Sequence, residues 1–332
     1  MMGWRAAWPA LCGVLALAAG LIAVALPALA QWRATKPITF IVMAGKGGGA
    51  DNAARFLADL IQKNGLTPVP IEILNIPGNS GGDALVELQR RRGDDHTILF
   101  TLNSFYTTPI DKPQLNIDVA AFTPLARLAE DVFLLWVHAD QTDIKSIDDF
   151  VRAAREKGKG WVMAGTGTGA EDNLLTDFLN ATFGLEMTYK SFAGGGEVAQ
   201  QLADKLADST VNNPSETAKL LAAGKVKPIV AITPKRLGGF ITVPTLRETG
   251  MDFHYFMQRS VVGTPQMSGP AVAFYQELFQ KLFEGADWQA YRAKNSLAGE
   301  LLSGEQLKAY WVKEREKHIR WKMAIEVMTP AP

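Results

Sequence analysis

Residues 36–55 read KPITFIVMAGKGGGADNAAR, and this stretch decides the fold. Ile38 to Met43 is a short, β-branched apolar run, the pattern of a buried strand. Gly45-Lys46-Gly47-Gly48-Gly49 follows, where glycine permits tight turning and close backbone approach. Asp51 is placed to cap a helix that carries Phe56, Leu57, Leu60 and Ile61 on one face. Strand, glycine loop and helix N-terminus together make an anion site, because unpaired N–H groups and the positive end of the helix dipole converge there. A tight strand-to-helix turn without a ligand reads the same way, so the loop gains its weight from recurrence.

From Lys36 onward the pattern alternates strand and helix, as in a mostly parallel α/β sheet. Ile71 to Asn75 is a second strand, leading into Pro77-Gly78-Asn79-Ser80-Gly81-Gly82 and a helix with Ala84, Leu85 and Leu88 inward. Thr97 to Leu102 is a third, ending in the polar cluster Asn103-Ser104-Phe105-Tyr106-Thr107-Thr108. Ligands of open α/β sheets bind beyond the carboxyl ends of strands, so these loops should share one rim. After a strand at Phe133 to Val137 and a helix from Ile147, the opening motif returns. Trp161 to Ala164 is the strand, Gly165-Thr166-Gly167-Thr168-Gly169 the loop, and Glu171 to Phe183 the helix. Met187 to Phe192 leads to Gly194-Gly195-Gly196, and Ser209 to Asn213 leads to Asn212-Asn213-Pro214-Ser215, with Ser215 a candidate helix cap. Pro228 to Ile232 is a further strand, and Phe253 to Gly263 is expected to return to the first half. Helices with breaks near Gly285 and Gly299–Gly304 complete the chain. The last is an amphipathic packing helix with Leu307, Trp311, Ile319 and Met323 inward.

The N-terminus reads as an export signal. Arg5 is the only charge before the apolar stretch Leu11 to Leu26, and Ala28-Leu29-Ala30 supplies the small-x-small cleavage pattern. An uncleaved anchor is the competing reading, disfavoured by Pro27 and the Ala-x-Ala motif. The single cysteine, Cys12, lies in this leader, and Leu11 before it departs from a lipoprotein signal. The mature chain therefore offers no disulfide, thiol nucleophile or cysteine metal site. With 34 basic and 34 acidic residues overall, no basic surplus points to nucleic acid or an anionic membrane.

Reactive chemistry is sparse. Gly45-x-Gly47-x-x-Ala50 and Gly165-x-Gly167-x-x-Ala170 fit the dinucleotide fingerprint, but Asn75 stands where an acid would hold the ribose. There is no GxxxxGK[ST] loop and no GxSxG elbow. His96, His138, His254 and His318 are scattered without ligand spacing. Glu171-Asp172 could face a substrate or complement the helix dipole. Lys46 could add charge to a bound carboxylate or solvate its loop. Arg259 could pair with a carboxylate ligand or with an internal acid. Phe105, Tyr106 and Phe192 could wall a ligand or pack in the core. Two halves of glycine loops and Asn, Ser and Thr side chains suit holding an anion and releasing it unchanged, by hinge closure of a cleft.

On KPITFIVMAGKGGGADNAAR, NIPGNSGGDA, FTPLARLAEDVFLLWV, MAGTGTGAEDN, YKSFAGGGEVAQQL and VPTLRETGMDF, the chain resembles the Bug-type periplasmic receptors. These are the solute-binding proteins of tripartite tricarboxylate transporters. The resemblance implies a two-domain venus-flytrap fold, type II-like, each domain a mostly parallel sheet flanked by helices. It implies capture of an organic carboxylate for membrane permease subunits. Carried over, the gripping residues are Gly45, Lys46, Gly47 and Gly48, with Thr166, Gly167, Thr168 and Gly169, partly through water. Asn79, Ser80, Gly81, Asn103 and Ser104 line the same cleft. Asn212 and Arg259 complete the candidate ligand-binding set. Two departures stand out: Lys46 replaces a proline usual before the first glycines, and Gly169-Ala170-Glu171-Asp172-Asn173 replaces a Gly-Ser-x-x-His pattern.

The resulting expectation is a periplasmic receptor with a signal peptide at 1–30, one domain from 31–130 plus 259–332, and a second at 131–258. Crossings are expected near Asp131 and Gln258. No cofactor, metal or catalytic residue is expected, and the chain is expected to be a monomer. The alternatives are an exported α/β enzyme using Asp172 or Glu171 as base, and a ligand-sensing input for a signalling partner.

Overall fold

The computed structural model describes Met2 and residues 32–328; the expected signal segment, with Cys12 and the cleavage expected near Ala30, falls outside the described residues apart from Met2. Strands β1 (Ile38–Val42), β2 (Ile71–Asn75), β3 (Thr97–Thr101) and β4 (Thr123–Val132) come first. Then follow β5 (Leu134–His138), β6 (Val162–Thr166), β7 (Thr188–Phe192), β8 (Ser209–Asn212), β9 (Val226–Ala231) and β10 (Phe256–Gly263). They form two five-stranded sheets, in orders β2-β1-β3-β10-β4 and β7-β6-β8-β5-β9.

Both sheets follow one plan. β1 pairs in parallel with β2 and β3, and β6 with β7 and β8. The reversed strand of the first sheet is β10, antiparallel to β3 and β4, and that of the second is β5, antiparallel to β8 and β9. Four strands of each sheet thus share a direction, and β10 and β5 run against them. Phe133 alone separates β4 from β5, and its carbonyl accepts Ile232 N–H at 2.9 Å.

The helices are α1 (Gly49–Lys63), α2 (Gly82–Arg90), α3 (Ser104–Asp111), α4 (Ile147–Lys157) and α5 (Glu171–Phe183). After them come α6 (Gly195–Ala203), α7 (Pro214–Ala222), α8 (Gly269–Glu284), α9 (Ala286–Lys294) and α10 (Gly304–Met328). Side-chain alternation along β1 shows why both sheet faces are covered. Phe40 and Val42 pack with Leu57 and Ile61 of α1 and Tyr275 and Phe279 of α8, while Ile41 packs with Leu85 of α2 and Trp311 of α10. In the second sheet, Leu135 and Val137 pack with Phe150 of α4 and Leu175 of α5. Trp136 packs with Leu202 of α6 and Val243.

Helix α10 reaches both cores. Leu307 and Trp311 sit in the first, and Trp321 packs on Phe178 and Phe253 of the second, with ring centroids 5.6 and 5.2 Å away. Met323, expected inward, is exposed. Three other local expectations differ. β4 was not anticipated, because residues 123–132 mix Arg, Glu and Asp with apolar residues; Arg127 and Asp131 are nonetheless buried by ion pairing. The polar cluster from Ser104 is the start of α3, whose Phe105 and Tyr106 are core residues and line no cleft. Ser215 caps nothing, since α7 begins at Pro214 after Asn213.

Candidate functional site

The C-terminal ends of the two equivalent strands β1 and β6, with the helix starts that follow them, wall one cavity of about 350 Å³. From the first sheet it takes Gly45, Gly48, Ser80, Gly81, Ser104, Met257 and Arg259. From the second come Thr166, Gly167, Glu171, Asp172, Phe192, Gly195, Asn213 and Glu216. Residues scattered over more than 200 positions therefore meet at one rim, as carboxyl-end geometry requires.

Local geometry places each element. Asn79, Ser80 and Gly81 all have left-handed φ, at 54°, 56° and 82°. Non-glycine residues hold that conformation only when their surroundings over-determine it. Here Asn79 Nδ2 donates to Asp83 Oδ1 at 2.7 Å and Thr108 Oγ1 donates to the Ser80 carbonyl at 2.9 Å. Ser80 Oγ is thereby aimed across the cleft and donates to the Thr168 carbonyl at 3.2 Å. In the second loop, Gly165 is a packing necessity: a Cβ there would stand 2.6 Å from Asp172 Cβ and from the Tyr189 ring. The Tyr189 hydroxyl donates to the Thr166 carbonyl.

The loop N–H groups hold internal carboxylates. Gly48, not Asp51, is the cap of α1 and no side chain caps it; Asp51 lies within the first turn and accepts Gly47 N–H at 2.8 Å. Gly49 N–H donates to Glu216 Oε1 at 3.1 Å, across from the other sheet. Thr166 N–H donates to Asp172 Oδ2 at 2.7 Å. At these three donors the protein's own acids stand where a ligand anion was expected.

Electrostatically the cavity is acidic. Glu171 and Asp172 are 4% and 5% exposed, and Glu216 keeps some exposure. Burial pushes the Asp172 carboxyl up to about 7 against the Thr166 N–H, with the charges of Glu216 and Glu171 adding to the rise. Burial likewise pushes Glu216 up to about 7, partly offset by Arg259, and pushes Glu171 upward. Arg259 is the one basic side chain in the wall, and it forms a buried ion pair with Asp131. Of the two roles left open for it, it pairs with an internal acid, and it also lines the cleft.

Seven of the fifteen candidate residues do not line this cavity. Asn103 is fully buried, with Nδ2 donating to Tyr255 Oη at 3.0 Å and to the Phe256 carbonyl at 2.8 Å, and Oδ1 accepting Gln258 N–H at 3.0 Å. It ties β3 to β10, a core role rather than a cleft one. Asn212 is buried similarly, its Nδ2 on the Gly195 carbonyl at 2.9 Å and its Oδ1 on Asn213 N–H. Lys46, Asn79, Thr168 and Gly169 stand off the cavity wall, with Lys46 and Thr168 exposed. Gly47 borders a second cavity of about 420 Å³, separated from the first by Gly49, Glu216 and Arg259, which line both. Glu216, Asn213 and Met257 were not foreseen. Glu216 carried one signal, an acid in a first helical turn after Asn213-Pro214, but nothing local connects it to Gly49.

Residues 53–297 match the model of the tripartite tricarboxylate transporter family receptor. Protein BugT of Bordetella pertussis is 22% identical over 246 residues, 73% of each chain. Among solved structures, the periplasmic binding protein BugD superposes with a TM-score of 0.78 at 19% identity, covering 89% of this chain and 98% of that one. MatC from Rhodopseudomonas palustris with bound malate gives 0.77 at 23% identity, over 88% and 99%. An R. palustris protein with adipate gives 0.80 at 20% identity, over 88% and 97%. At these identities the superpositions speak to the fold.

Proposed function

The chain belongs to the tripartite tricarboxylate transporter family of receptors, and from that premise we propose that it captures a small organic carboxylate in the 350 Å³ cavity and delivers it to membrane permease subunits. The observation that carries this reading is the shared wall: loops after β1, β2 and β3 face loops after β6, β7 and β8 around one cavity. A cleft of that construction closes by hinge motion about its crossing strands. The proposed lobes are 31–130 with 259–332, and 131–258, and the working compartment is the periplasm after cleavage near Ala30. Gly45, Gly48, Ser80, Ser104, Thr166 and Gly167 are proposed to offer the ligand its neutral contacts. The family and the structural neighbours are binding proteins rather than enzymes, and we assign no catalytic step.

The test is a thermal-shift screen of purified protein stripped of ligand by mild denaturation and refolding. The panel holds aliphatic and aromatic carboxylates, amino acids, sugars, phosphate and NAD. A ligand at a hundredfold excess over its Kd adds about 2.7 kcal/mol, a shift of a few degrees. Shifts confined to a few carboxylates support the reading. A shift with NAD, or with no carboxylate at all, overturns it, and turnover of a bound acid would favour an enzyme using Asp172 as base.

A further inference from the structure

The cavity of this receptor is lined by more acidic than basic side chains, and one carboxylate oxygen among them is left without a partner. Glu171, Asp172 and Glu216 line it, against Arg259 alone. Arg259 is committed to Asp131, and Lys46 is exposed and off the wall. A ligand bearing only carboxylates would add like charge to this poorly solvated space, where repulsion is far stronger than in water.

The acids differ in what they already hold. Asp172 accepts Thr166 N–H and Glu216 accepts Gly49 N–H. Glu171 is 4% exposed, lines the cavity, and its Oε1 has no hydrogen-bond partner. A buried unpaired carboxylate oxygen is an acceptor waiting for a donor, and the strongest donor for it is a cation. Among the described residues no group of three or more His, Cys, Asp or Glu is placed to hold a metal ion.

We infer that the ligand carries a positively charged nitrogen beside its carboxylate, and that Glu171, with Asp172 and Glu216 behind it, receives that nitrogen. This deepens the carboxylate reading and rests on it. The sequence feature responsible is Gly169-Ala170-Glu171-Asp172, where α5 starts with two acids facing the cleft. The upward pull of burial on all three carboxyls agrees with a site that becomes fully ionised only when a cation enters.

Calorimetry with matched pairs tests it: propionate against alanine, succinate against aspartate, glutarate against glutamate, and n-butylamine as an amine without a carboxylate. The amino-bearing member of the best pair should bind at least ~10-fold tighter, and Glu171→Gln should bring that pair to within ~3-fold. Unliganded Glu171→Gln should unfold at no lower temperature, since it removes the cost of burying a carboxyl whose Oε1 has no donor, while its remaining oxygen can still accept the backbone N–H groups of Asn103 and Ser104. Equal or tighter binding of the desamino acids overturns the inference and leaves the carboxylate reading standing. An unchanged ratio in Glu171→Gln also overturns it. Butylamine binding as tightly as the amino acids overturns the carboxylate reading and leaves the cation site standing.

Discussion

Glu216 Oε1 accepts the backbone N–H of Gly49 at 3.1 Å, joining the start of α7 beside the second sheet to the start of α1 beside the first. The residues are 167 positions apart, and the bond places a carboxylate of the protein itself on a helix N-terminus. Its setting depends on a glycine. A Cβ at Gly195 would overlap the Glu216 carboxylate, with Oε1 2.6 Å away.

Gly195→Ala should therefore expel Glu216 from its place and weaken ligand binding ~10-fold or more, with far-ultraviolet circular dichroism unchanged. Combining it with Glu216→Ala should recover part of the loss, because the clash is gone. Two strictly additive effects in the double-mutant cycle would show that the residues do not communicate.

The raised carboxyls set a pH dependence with a definite sign. Asp172 titrates near 3.8 when unfolded and at about 7 in the folded chain. Between those values the folded state keeps a proton that the unfolded state has lost, so stability falls as pH rises through this window and levels above it. Glu216, moving from 4.5 to about 7, acts in the same direction. Each unit corresponds to about 1.4 kcal/mol, so the loss should reach a few kcal/mol between roughly pH 4 and 7.5. Asp172→Asn keeps an acceptor for Thr166 N–H and should flatten the slope. Urea unfolding of both proteins across this range checks it, and parallel profiles would refute the assignment.

Arg259 and Asp131 are 3% and 1% exposed, so removing one partner strands a buried charge. Arg259→Met should destabilise by about 3–5 kcal/mol, and adding Asp131→Leu should restore most of that. Ligand affinity should stay low in the double variant, because Arg259 also faces the cavity. Recovery of affinity along with stability would mean that Arg259 serves only the fold.

Asn103→Ala removes three hydrogen bonds, two of them fully buried, and empties a core position. The expected result is a loss of about 2–4 kcal/mol and a melting temperature several degrees lower. Thr166→Val, at the cavity wall, should instead lower affinity with little change in melting. The reverse pattern would return Asn103 to the cleft and Thr166 to the scaffold.

Much of this architecture was legible locally. Ile38 to Arg55 and Trp161 to Phe183 each hold strand, glycine loop and helix within about twenty residues. Period-two and period-3.6 apolar patterns bury only one way, so those elements and their shared rim follow from the sequence alone. The strand β4 escaped notice because Arg127 and Asp131 break its apolar pattern, and their burial depends on Glu130 beside it and Arg259 far along the chain. Asn103 and Asn212 have the composition of cleft residues, and no neighbour in sequence tells that Tyr255, Phe256 and Gly195 surround them.

By itself, then, the sequence determined the α/β alternation, the two equivalent glycine loops and the acids at the start of α5. Local conformational preference and side-chain periodicity act over a few residues and are written there directly. Only the tertiary structure decided which loop donors the protein fills with its own carboxylates, that Arg259 is held by Asp131, and that Glu171 Oε1 is left unpartnered. Those outcomes are set by burial and charge balance among groups more than a hundred residues apart, which exist as neighbours only once both sheets are assembled.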